Sequence, residues 1–253
     1  MFYHNINPTL VHLGPFEIRY YGIIFVFGFI IAYFLIYYLA QKRGLRLSKD
    51  DVADLIFYLI IGTVMGARIF EIVFYDLKYY LANPLQMFAV WRGGLSFHGG
   101  FLGAVIAGYL YCRKKKIGFN DLADIAVIPL AFGLFLGRIA NFINGEVVGR
   151  VTNVPWCFYF KGYEGCRHPS QFYESFKNLF IFSVLWFLKD KKLKKGVMFW
   201  SFVLMYSAIR FFIEFLKDPG EIGFILGLTM GQWLNIGMFI VGLYFFVKVN
   251  KSQ

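Results

Sequence analysis

The sequence predicts an all-α integral membrane protein with seven transmembrane helices, and three features of the chain lead to that class. Hydrophobic residues make up 58% of the 253 residues and charged residues only 16%, whereas soluble domains hold about 25% charged residues. Continuous apolar runs long enough to span a roughly 30 Å hydrocarbon core as helices recur along the chain. The basic residues gather between these runs, in every second connection.

The apolar runs are continuous and do not alternate with polar residues, which argues against the strands of a membrane barrel. No internal repeat is visible, so we interpret residues 1–253 as a single transmembrane domain. The predicted spans cover residues 18–41, 52–75, 94–112, 121–143, 171–188, 197–216 and 228–248.

The loops predict the orientation of these spans. Connections 41–51, 111–120 and 189–196 are rich in Lys and Arg, as is the tail, whereas the connections between them hold few basic residues. Basic connections stay in the cytoplasm, so we expect the amino terminus outside and the carboxyl terminus in the cytoplasm. The net charge of +11 is then a topology signal, and we expect no nucleic-acid partner.

Two outer connections have structure of their own in this interpretation. Residues 77–93 contain several Tyr and Trp side chains but are broken by Pro84, which predicts an arm lying in the membrane interface. The segment 144–170 is the longest outer connection and predicts a small cap. Its cysteines, Cys157 and Cys166, either form a disulfide or remain free thiols.

Polar residues within the spans fall at one depth, towards the outer surface. A charged residue near the bilayer centre costs about 2.5–3.5 kcal/mol, so we expect these side chains to face a polar cavity. Helical spacing places Arg138 and Asn141 on one face, together with Gly145 if the helix persists. The residues at this depth are Tyr21, His98, Arg138, Asn141, Glu146, Gly149, Tyr206, Arg210 and Glu214.

Each of these features also has a purely structural interpretation. Arg210 and Glu214 are four residues apart and can form a structural ion pair, while Arg138 can extend to the outer headgroups. His98 can be a packed, hydrogen-bonded histidine. Gly99 and its neighbouring glycines, like Gly133 with Gly137, can serve close helix packing.

The residue types in the predicted cavity indicate which ligand it suits. Two arginines with fixed donor forks are suited to a phosphate, and at this depth the phosphate is that of a phospholipid headgroup. One histidine without nearby cysteines is not a metal site, and we expect no metal and no cofactor. The residues alone therefore predict phospholipid binding or processing on the outer face.

The longest motif of the chain runs from Gly137 to Glu146 (GRIANFINGE) and is followed by Gly149. This motif and four shorter ones resemble those of the bacterial prolipoprotein diacylglyceryl transferases. Two departures are visible: Phe172 stands where the family often has Leu, and residues 217–220 read KDPG where we expect Arg-x-Pro-Asp. The supporting matches are RYYG at 19–22, SFHGG at 96–100, RHPSQFYE at 167–174 and RFFIEF at 210–215.

This resemblance implies a reaction of bacterial lipoprotein biosynthesis, in the plasma (inner) membrane. The diacylglyceryl group of phosphatidylglycerol is transferred to the lipobox cysteine of a prolipoprotein, a thioether forms, and glycerol phosphate leaves. The partners are then phosphatidylglycerol, the prolipoprotein signal peptide and membrane lipids, with the active site towards the outer leaflet. A free cysteine thiol has a pKa of about 8.5, so a base or a cationic environment must favour its thiolate.

We assign roles within the cavity on this basis. Arg138 and Arg210 hold the phosphate. His98 either acts as the base, helped by Tyr21 or Tyr206, or only positions headgroup oxygens. The remaining assignments are substrate contacts: Asn141 and Gly149 shape the headgroup pocket, Gly99 binds substrate, and Glu146 and Glu214 orient the arginines or bind glycerol hydroxyls.

Two other classes of protein remain as alternatives. An outer-leaflet lipid transporter or scramblase would use the same arginines but needs a polar route through the inner halves of the spans, which are nearly free of charge. A seven-helix receptor does not require two arginines within the membrane.

Overall fold

The computed structural model describes residues 2–13, 16–90, 93–218 and 224–251. Within these residues the protein is mostly helical, in agreement with the predicted class. A 3₁₀ helix covers Pro84–Phe88. The α-helices are α1 (Tyr20–Lys42), α2 (Lys49–Phe74), α3 (Leu77–Ala82), α4 (Phe97–Lys115), α5 (Phe119–Asn144), α6 (Ser170–Leu188), α7 (Val197–Glu214) and α8 (Met230–Lys251).

Short strands precede or connect the helices and form two-stranded sheets. An antiparallel hairpin of β2 (Thr9–Leu13) and β3 (Phe16–Arg19) leads directly into α1, so the first helix begins at Tyr20 and not at residue 18. The parallel pair is β1 (Phe2–Tyr3) with β4 (Phe158–Tyr159), and the second antiparallel pair is β5 (Phe224–Ile225) with β6 (Leu228–Thr229).

A helix lies at each of the seven predicted spans. Among the described residues, five helices are long and apolar enough to cross a membrane, namely α1, α2, α5, α7 with its extension to Leu216, and α8. The two remaining helices are shorter and more polar, because α4 ends in three consecutive basic residues and α6 carries Glu174 and Lys177. The fold is therefore that of a multi-pass helical membrane protein, while the seven-span topology stays a prediction.

Residues Ile36–Leu122 form one compact unit, in which α2 and α4 pack closely through glycines. A Cβ added to Gly66 would lie 2.8 Å from the Cα of Gly103, and a Cβ added to Gly99 would lie 3.0 Å from the backbone carbon of Gly66. Real Cβ atoms do not approach backbone atoms so closely, so side chains here would separate the helices. This geometry supports close helix packing as one role of Gly99.

Arg68 organises the segment predicted to be an interfacial arm. Its buried guanidinium donates hydrogen bonds to the carbonyl oxygens of Met87 (3.0 Å), Gly93 (2.7 Å) and Gly94 (2.8 Å) and to the Tyr80 hydroxyl (3.0 Å). These contacts hold α3 and the 3₁₀ helix against α2. The arm is thus folded into short helices, and its location in the membrane interface stays a prediction.

Residues Met1–Leu35 and Ala123–Gln253 form the second compact unit. Its helices are joined by polar contacts as well as apolar packing. Buried Asp124 of α5 accepts hydrogen bonds from the backbone N–H groups of Gly196 (2.8 Å) and Phe199 (2.9 Å), and so caps the amino terminus of α7. Ser175 of α6 donates to the carbonyl oxygen of Phe135 in α5 at 3.1 Å.

The segment 144–170, predicted to be a cap, folds over the ends of α5 and α6. Cys157 and Cys166 form a disulfide, which decides between the two alternatives that the sequence left open. Bridges pair Val151 and Phe158 with Arg167. Beneath them lies an aromatic cluster of Phe142, Val148 and Phe160 with Phe158 and Phe172. Phe172, a departure from the family pattern, belongs to this core.

Candidate active site

Glu174 lies at the centre of a buried group of charged side chains in the second unit. Its side chain is only 1% exposed and contacts cations through both carboxylate oxygens. Oε2 lies 2.7 Å from Lys177 Nζ, and Oε1 lies 2.9 Å from Arg210 Nε. Arg138 Nε lies 3.9 Å from Oε2, and Lys217 Nζ lies 3.9 Å from Oε1. We name this group the Glu174 cluster; its members are Arg138, Glu174, Lys177, Arg210, Glu214 and Lys217.

Three helices and one loop supply these side chains. On α6, Glu174 and Lys177 are three residues apart and therefore share a face. On α7, Arg210 and Glu214 are one turn apart and form an ion pair, which the sequence offered as one of two interpretations. α5 supplies Arg138, and the loop after α7 supplies Lys217. The structure thus brings the two predicted arginines onto one carboxylate that the site assignment did not include.

The cluster carries more positive than negative charge. Its four cations contribute +4 and its two carboxylates contribute −2, which leaves +2 in a largely buried environment. Buried charge is costly unless it is paired, so a cationic excess of this kind suits an anionic ligand. Arg138 is the most accessible of the four cations, with 22% of its side chain exposed.

The charge of Lys217 can be removed by a moderate rise in pH. Burial, which is the largest cause, and the positive charge of Arg210 together lower the pKa of Lys217 to about 8, although Glu174 acts in the opposite direction. At neutral pH the amine is still mostly protonated. A rise of one or two pH units removes its charge, which changes the balance of the whole cluster.

A chain of hydrogen bonds leads from Arg138 to the end of α5. Arg138 Nη1 lies 3.5 Å from Asn141 Oδ1, and Asn141 Nδ2 donates to Glu146 Oε1 at 2.7 Å. Asn144 Nδ2 donates to the same oxygen at 3.3 Å. Tyr21 lies close enough to Glu146 and Arg138 to interact with them electrostatically. Of the two predicted carboxylates, Glu146 therefore accepts hydrogen bonds from asparagines, whereas Glu214 pairs with an arginine.

The two glycines of the central motif have structural positions. Gly145 has a φ of +70° directly after the end of α5 at Asn144, so the helix does not persist and Gly145 does not share the face of Arg138. Gly149 is buried between two backbones: an added Cβ would lie 2.6 Å from Leu216 O and 2.7 Å from His168 O. Gly149 thus allows the cap to approach the loop that carries Lys217.

The cap holds this loop through several further contacts. Arg150 donates from its backbone N–H to Leu216 O (3.0 Å) and from Nε to Lys217 O (2.7 Å). Arg167 Nη1 lies 2.7 Å from Asp218 Oδ2. These contacts fix the start of the KDPG segment, whose last two residues, Pro219 and Gly220, lie outside the described residues.

Tyr206 and Thr229 lie next to the cluster and contact its members. The Lys177 ammonium lies 3.7 Å from the centroid of the Tyr206 ring, a cation–π arrangement. Tyr206 also interacts with Arg138. Thr229 donates to Glu214 Oε1 at 3.3 Å, which connects the start of α8 to the end of α7.

His98 and Gly99 belong to the other compact unit. Both lie in the first turn of α4, after Ser96, whose hydroxyl accepts from the Gly99 N–H at 3.5 Å. The His98 side chain is outside the described part of the structure. Its role as a base, like the contact of Gly99 with substrate, stays a prediction.

Three members of the cluster, Glu174, Lys177 and Lys217, are not among the predicted site residues. Glu174 and Lys217 belong to the RHPSQFYE and KDPG segments, from which no role is predicted for them, and Lys177 belongs to none of the motifs. A signal for Glu174 and Lys177 was available: two opposite charges three residues apart in an apolar run are costly unless they meet partners inside the bundle.

The close-packing interpretation of Gly133 and Gly137 is not supported among the described residues. No described atom lies within 4 Å of a Cβ added to either glycine.

Within the described ranges, no three His, Cys, Asp or Glu side chains come together in a way that would hold a metal ion.

The fold and the site define a class: a multi-pass helical membrane protein with a buried, predominantly cationic cluster between its helices. The sequence model of one family, described as prolipoprotein diacylglyceryl transferase, matches residues 8–248. The chain belongs to this family, and it is a transferase.

Curated relatives agree along the full length of the chain. A phosphatidylglycerol–prolipoprotein diacylglyceryl transferase of Geobacter sulfurreducens is 47% identical over 257 residues, which cover 100% of this chain and 99% of the relative. A protein of the same name from Bordetella parapertussis is 40% identical, with 99% of each chain covered. One from Rickettsia rickettsii is 41% identical over the full length of both chains.

Proposed function

We propose that this protein transfers the diacylglyceryl group of phosphatidylglycerol to the lipobox cysteine of prolipoproteins, the first step of bacterial lipoprotein maturation. The carbon–oxygen bond between the diacylglyceryl group and the phosphate breaks, and a carbon–sulfur bond forms. The thiol loses its proton, and glycerol phosphate leaves with the bonding electrons. The observation that carries the proposal is the cationic excess of the Glu174 cluster in a chain of this family.

Arg138 and Arg210 are the proposed phosphate ligands. The leaving phosphate gains negative charge as its bond to the diacylglyceryl group breaks, and fixed donors aimed at that charge lower the barrier. Arg210 is held rigidly between Glu174 and Glu214. Arg138 is more exposed and less tightly paired, so it is suited to direct contact with the lipid.

The remaining residues form the surroundings of the headgroup in this proposal. Asn141, Glu146 and Tyr21 line the side of the site that leads from Arg138, where they offer partners for the glycerol hydroxyls. Gly149 acts through the cap, because it allows the Lys217 loop to lie against the site. His98 remains the candidate base or headgroup ligand, with Tyr206 as a neighbour of Arg138.

The proposed location is the bacterial plasma membrane, with the site towards the outer leaflet. Loop charge supports this orientation, and so does the Cys157–Cys166 disulfide, because disulfides persist in oxidising compartments outside the cytoplasm. Both substrates can then arrive laterally, the lipid from the outer leaflet and the prolipoprotein through its apolar signal helix.

The test is a purified assay with phosphatidylglycerol vesicles and a lipobox peptide, read out by the mass increase of the peptide cysteine. We expect Arg138→Ala and Arg210→Ala each to lower thioether formation about 100-fold or more, as for the loss of one preorganised donor. Arg113→Ala, a change in an exposed basic turn, is the matched control and should keep wild-type activity.

Two outcomes would contradict the proposal. Lipid movement across the vesicles without a covalent product would identify a transporter instead, and near-normal product from both arginine variants would remove the phosphate role. The base assignment has a separate test, since full activity of His98→Ala from pH 6 to pH 9 would exclude it.

A further inference from the structure

Lys177 is the most deeply buried cation of the protein's charged cluster, and the proposed mechanism gives it no task. Its side chain is 0% exposed, on α6 within a predicted span. Its ammonium lies 2.7 Å from Glu174 Oε2 and 3.7 Å from the centroid of the Tyr206 ring. It is thus enclosed on both sides and has no room to contact a lipid directly.

The position of Lys177 decides what Glu174 can bind. Oε2 of Glu174 is approached by Lys177 Nζ at 2.7 Å and by Arg138 Nε at 3.9 Å. Only the first distance is that of a hydrogen bond. An arginine next to an unoccupied carboxylate oxygen normally forms a short, often two-pronged pair with it. At Oε2 the hydrogen-bond distance belongs to Lys177, and Arg138 lies outside it.

The two arginines of the cluster therefore differ in how closely they contact carboxylates. Arg210 Nε lies 2.9 Å from Glu174 Oε1, and Arg210 Nη1 pairs with Glu214. Arg138 lies 3.9 Å from Glu174 Oε2 and 3.5 Å from Asn141 Oδ1 and interacts with the Tyr206 hydroxyl. Its side chain is 22% exposed against 14% for Arg210, so Arg138 is the arginine less tightly bound to a carboxylate and more open to a ligand.

We propose that Lys177 is a positioning residue: it occupies Oε2 of Glu174 and thereby keeps Arg138 available for the phosphate of the lipid substrate. This inference rests on the proposed function. Without the ammonium, Glu174 attracts Arg138, and the phosphate must compete with a buried carboxylate for the same guanidinium.

The test compares three variants in the vesicle assay with a lipobox peptide. Lys177→Met removes the ammonium at nearly constant side-chain length. Arg138 should then lose its charge-assisted contact to the phosphate, which should raise KM for phosphatidylglycerol about tenfold or more. KM for the peptide should change less than twofold. In Glu174→Gln/Lys177→Met, the neutral amide no longer attracts Arg138, so KM for the lipid should return most of the way to the wild-type value.

Lys189→Met is the matched control. Lys189 caps the far end of the same helix, and it also pairs with a carboxylate, Asp190 at 2.9 Å, and lies over an aromatic ring, Trp186. Lys189 is remote from Arg138, so the KM of Lys189→Met for the lipid should equal that of the wild type.

Each result supports or overturns the inference. If Lys177→Met has lower thermal stability but the wild-type KM for the lipid, the role of Lys177 is structural only. The same conclusion follows if the lipid KM of Glu174→Gln/Lys177→Met is as high as that of Lys177→Met. If Lys177→Met does not fold, Lys177→Gln replaces it. Its amide still donates to Oε2 but competes less strongly than an ammonium, so a KM at least about threefold above wild type is expected and an unchanged KM overturns the proposal. Absence of any thioether product from the wild type would instead refute the proposed function.

Discussion

At the scale of single residues, the site depends on one carboxylate shared among several cations. Glu174 is almost fully buried, so each of its contacts is made in an environment that screens charge poorly. Its oxygens are divided between Arg210 on one side and Lys177 on the other. This division leaves the cluster positively charged and leaves Arg138 as the most accessible donor, which is the arrangement that a phosphate site requires.

Lys217 provides a test of this charge balance through pH. Its pKa of about 8 means that the lysine is charged below pH 8 and neutral above it, so the affinity for an anionic lipid should fall as pH rises through 8. In Lys217→Arg the cation stays charged throughout, because arginine keeps its proton in proteins. We expect KM for phosphatidylglycerol to rise between pH 7 and pH 9 in the wild type and to rise less in Lys217→Arg.

The comparison of lipid KM values separates this effect from the substrate thiol. The thiol also loses its proton near pH 8.5, but that change raises the rate equally in both enzymes. Parallel KM profiles for the wild type and Lys217→Arg would show that Lys217 does not contribute to lipid binding.

At the scale of secondary-structure elements, the cap connects the site to the ends of α5, α6 and α7. Ser170 donates to Val147 O at 2.8 Å and Gln171 to Glu146 O at 2.7 Å, so the start of α6 holds the turn after α5. On the other side of the cap, Gly149 pairs with Lys217. The cap thus determines where the Glu146 carboxylate and the Lys217 amine lie relative to the helices.

The disulfide of the cap should stabilise this arrangement. A cross-link over a loop of this length contributes roughly 2–3 kcal/mol by restricting the unfolded chain. We expect Cys157→Ala/Cys166→Ala, or reduction of the wild type, to lower the thermal unfolding temperature and to weaken lipid binding. The measurement is thermal unfolding in detergent with and without a reductant.

Cys112→Ala is the control for this experiment, because Cys112 is a buried free thiol in α4. Its unfolding temperature should respond to the reductant as the wild type does. A double variant with wild-type stability and wild-type lipid KM would show that the cap is held by its hydrogen bonds and aromatic packing alone.

At the scale of the whole molecule, the open question is the orientation of the spans. The predicted topology places the cap outside and the 189–196 connection in the cytoplasm. Single cysteines introduced at Tyr163, an exposed position in the cap, and at Lys192 should react differently with a membrane-impermeant maleimide. Tyr163→Cys should be labelled in intact spheroplasts, and Lys192→Cys only after permeabilisation.

The native cysteines give little background in this experiment, since two are cross-linked and the third is buried. Labelling of Lys192→Cys in intact spheroplasts would reverse the proposed orientation. It would also place the Glu174 cluster on the side opposite to the one we propose.

The sequence by itself determined the features that depend on local chemistry. Run length and apolarity predicted a multi-pass helical membrane protein. Spacing along one helix showed that Arg210 and Glu214 can pair, because contacts at i and i+4 need no information from other elements. The GRIANFINGE motif and its companions identified the family. Gly145 was expected on the Arg138 face only if the helix persisted, and α5 instead ends at Asn144 with Gly145 at a φ of +70°.

Only the tertiary structure decided which charges share a partner. Nothing in the local pattern shows that Arg138, Arg210 and Lys217, from two helices and a loop, meet at Glu174, because this depends on how α5, α6 and α7 pack. The same holds for Lys177, whose burial against Tyr206 turns an apparently misplaced charge into part of the site. Hydrophobicity fixes which segments enter the membrane, but the low dielectric of the interior allows buried charges only where packing brings partners to them.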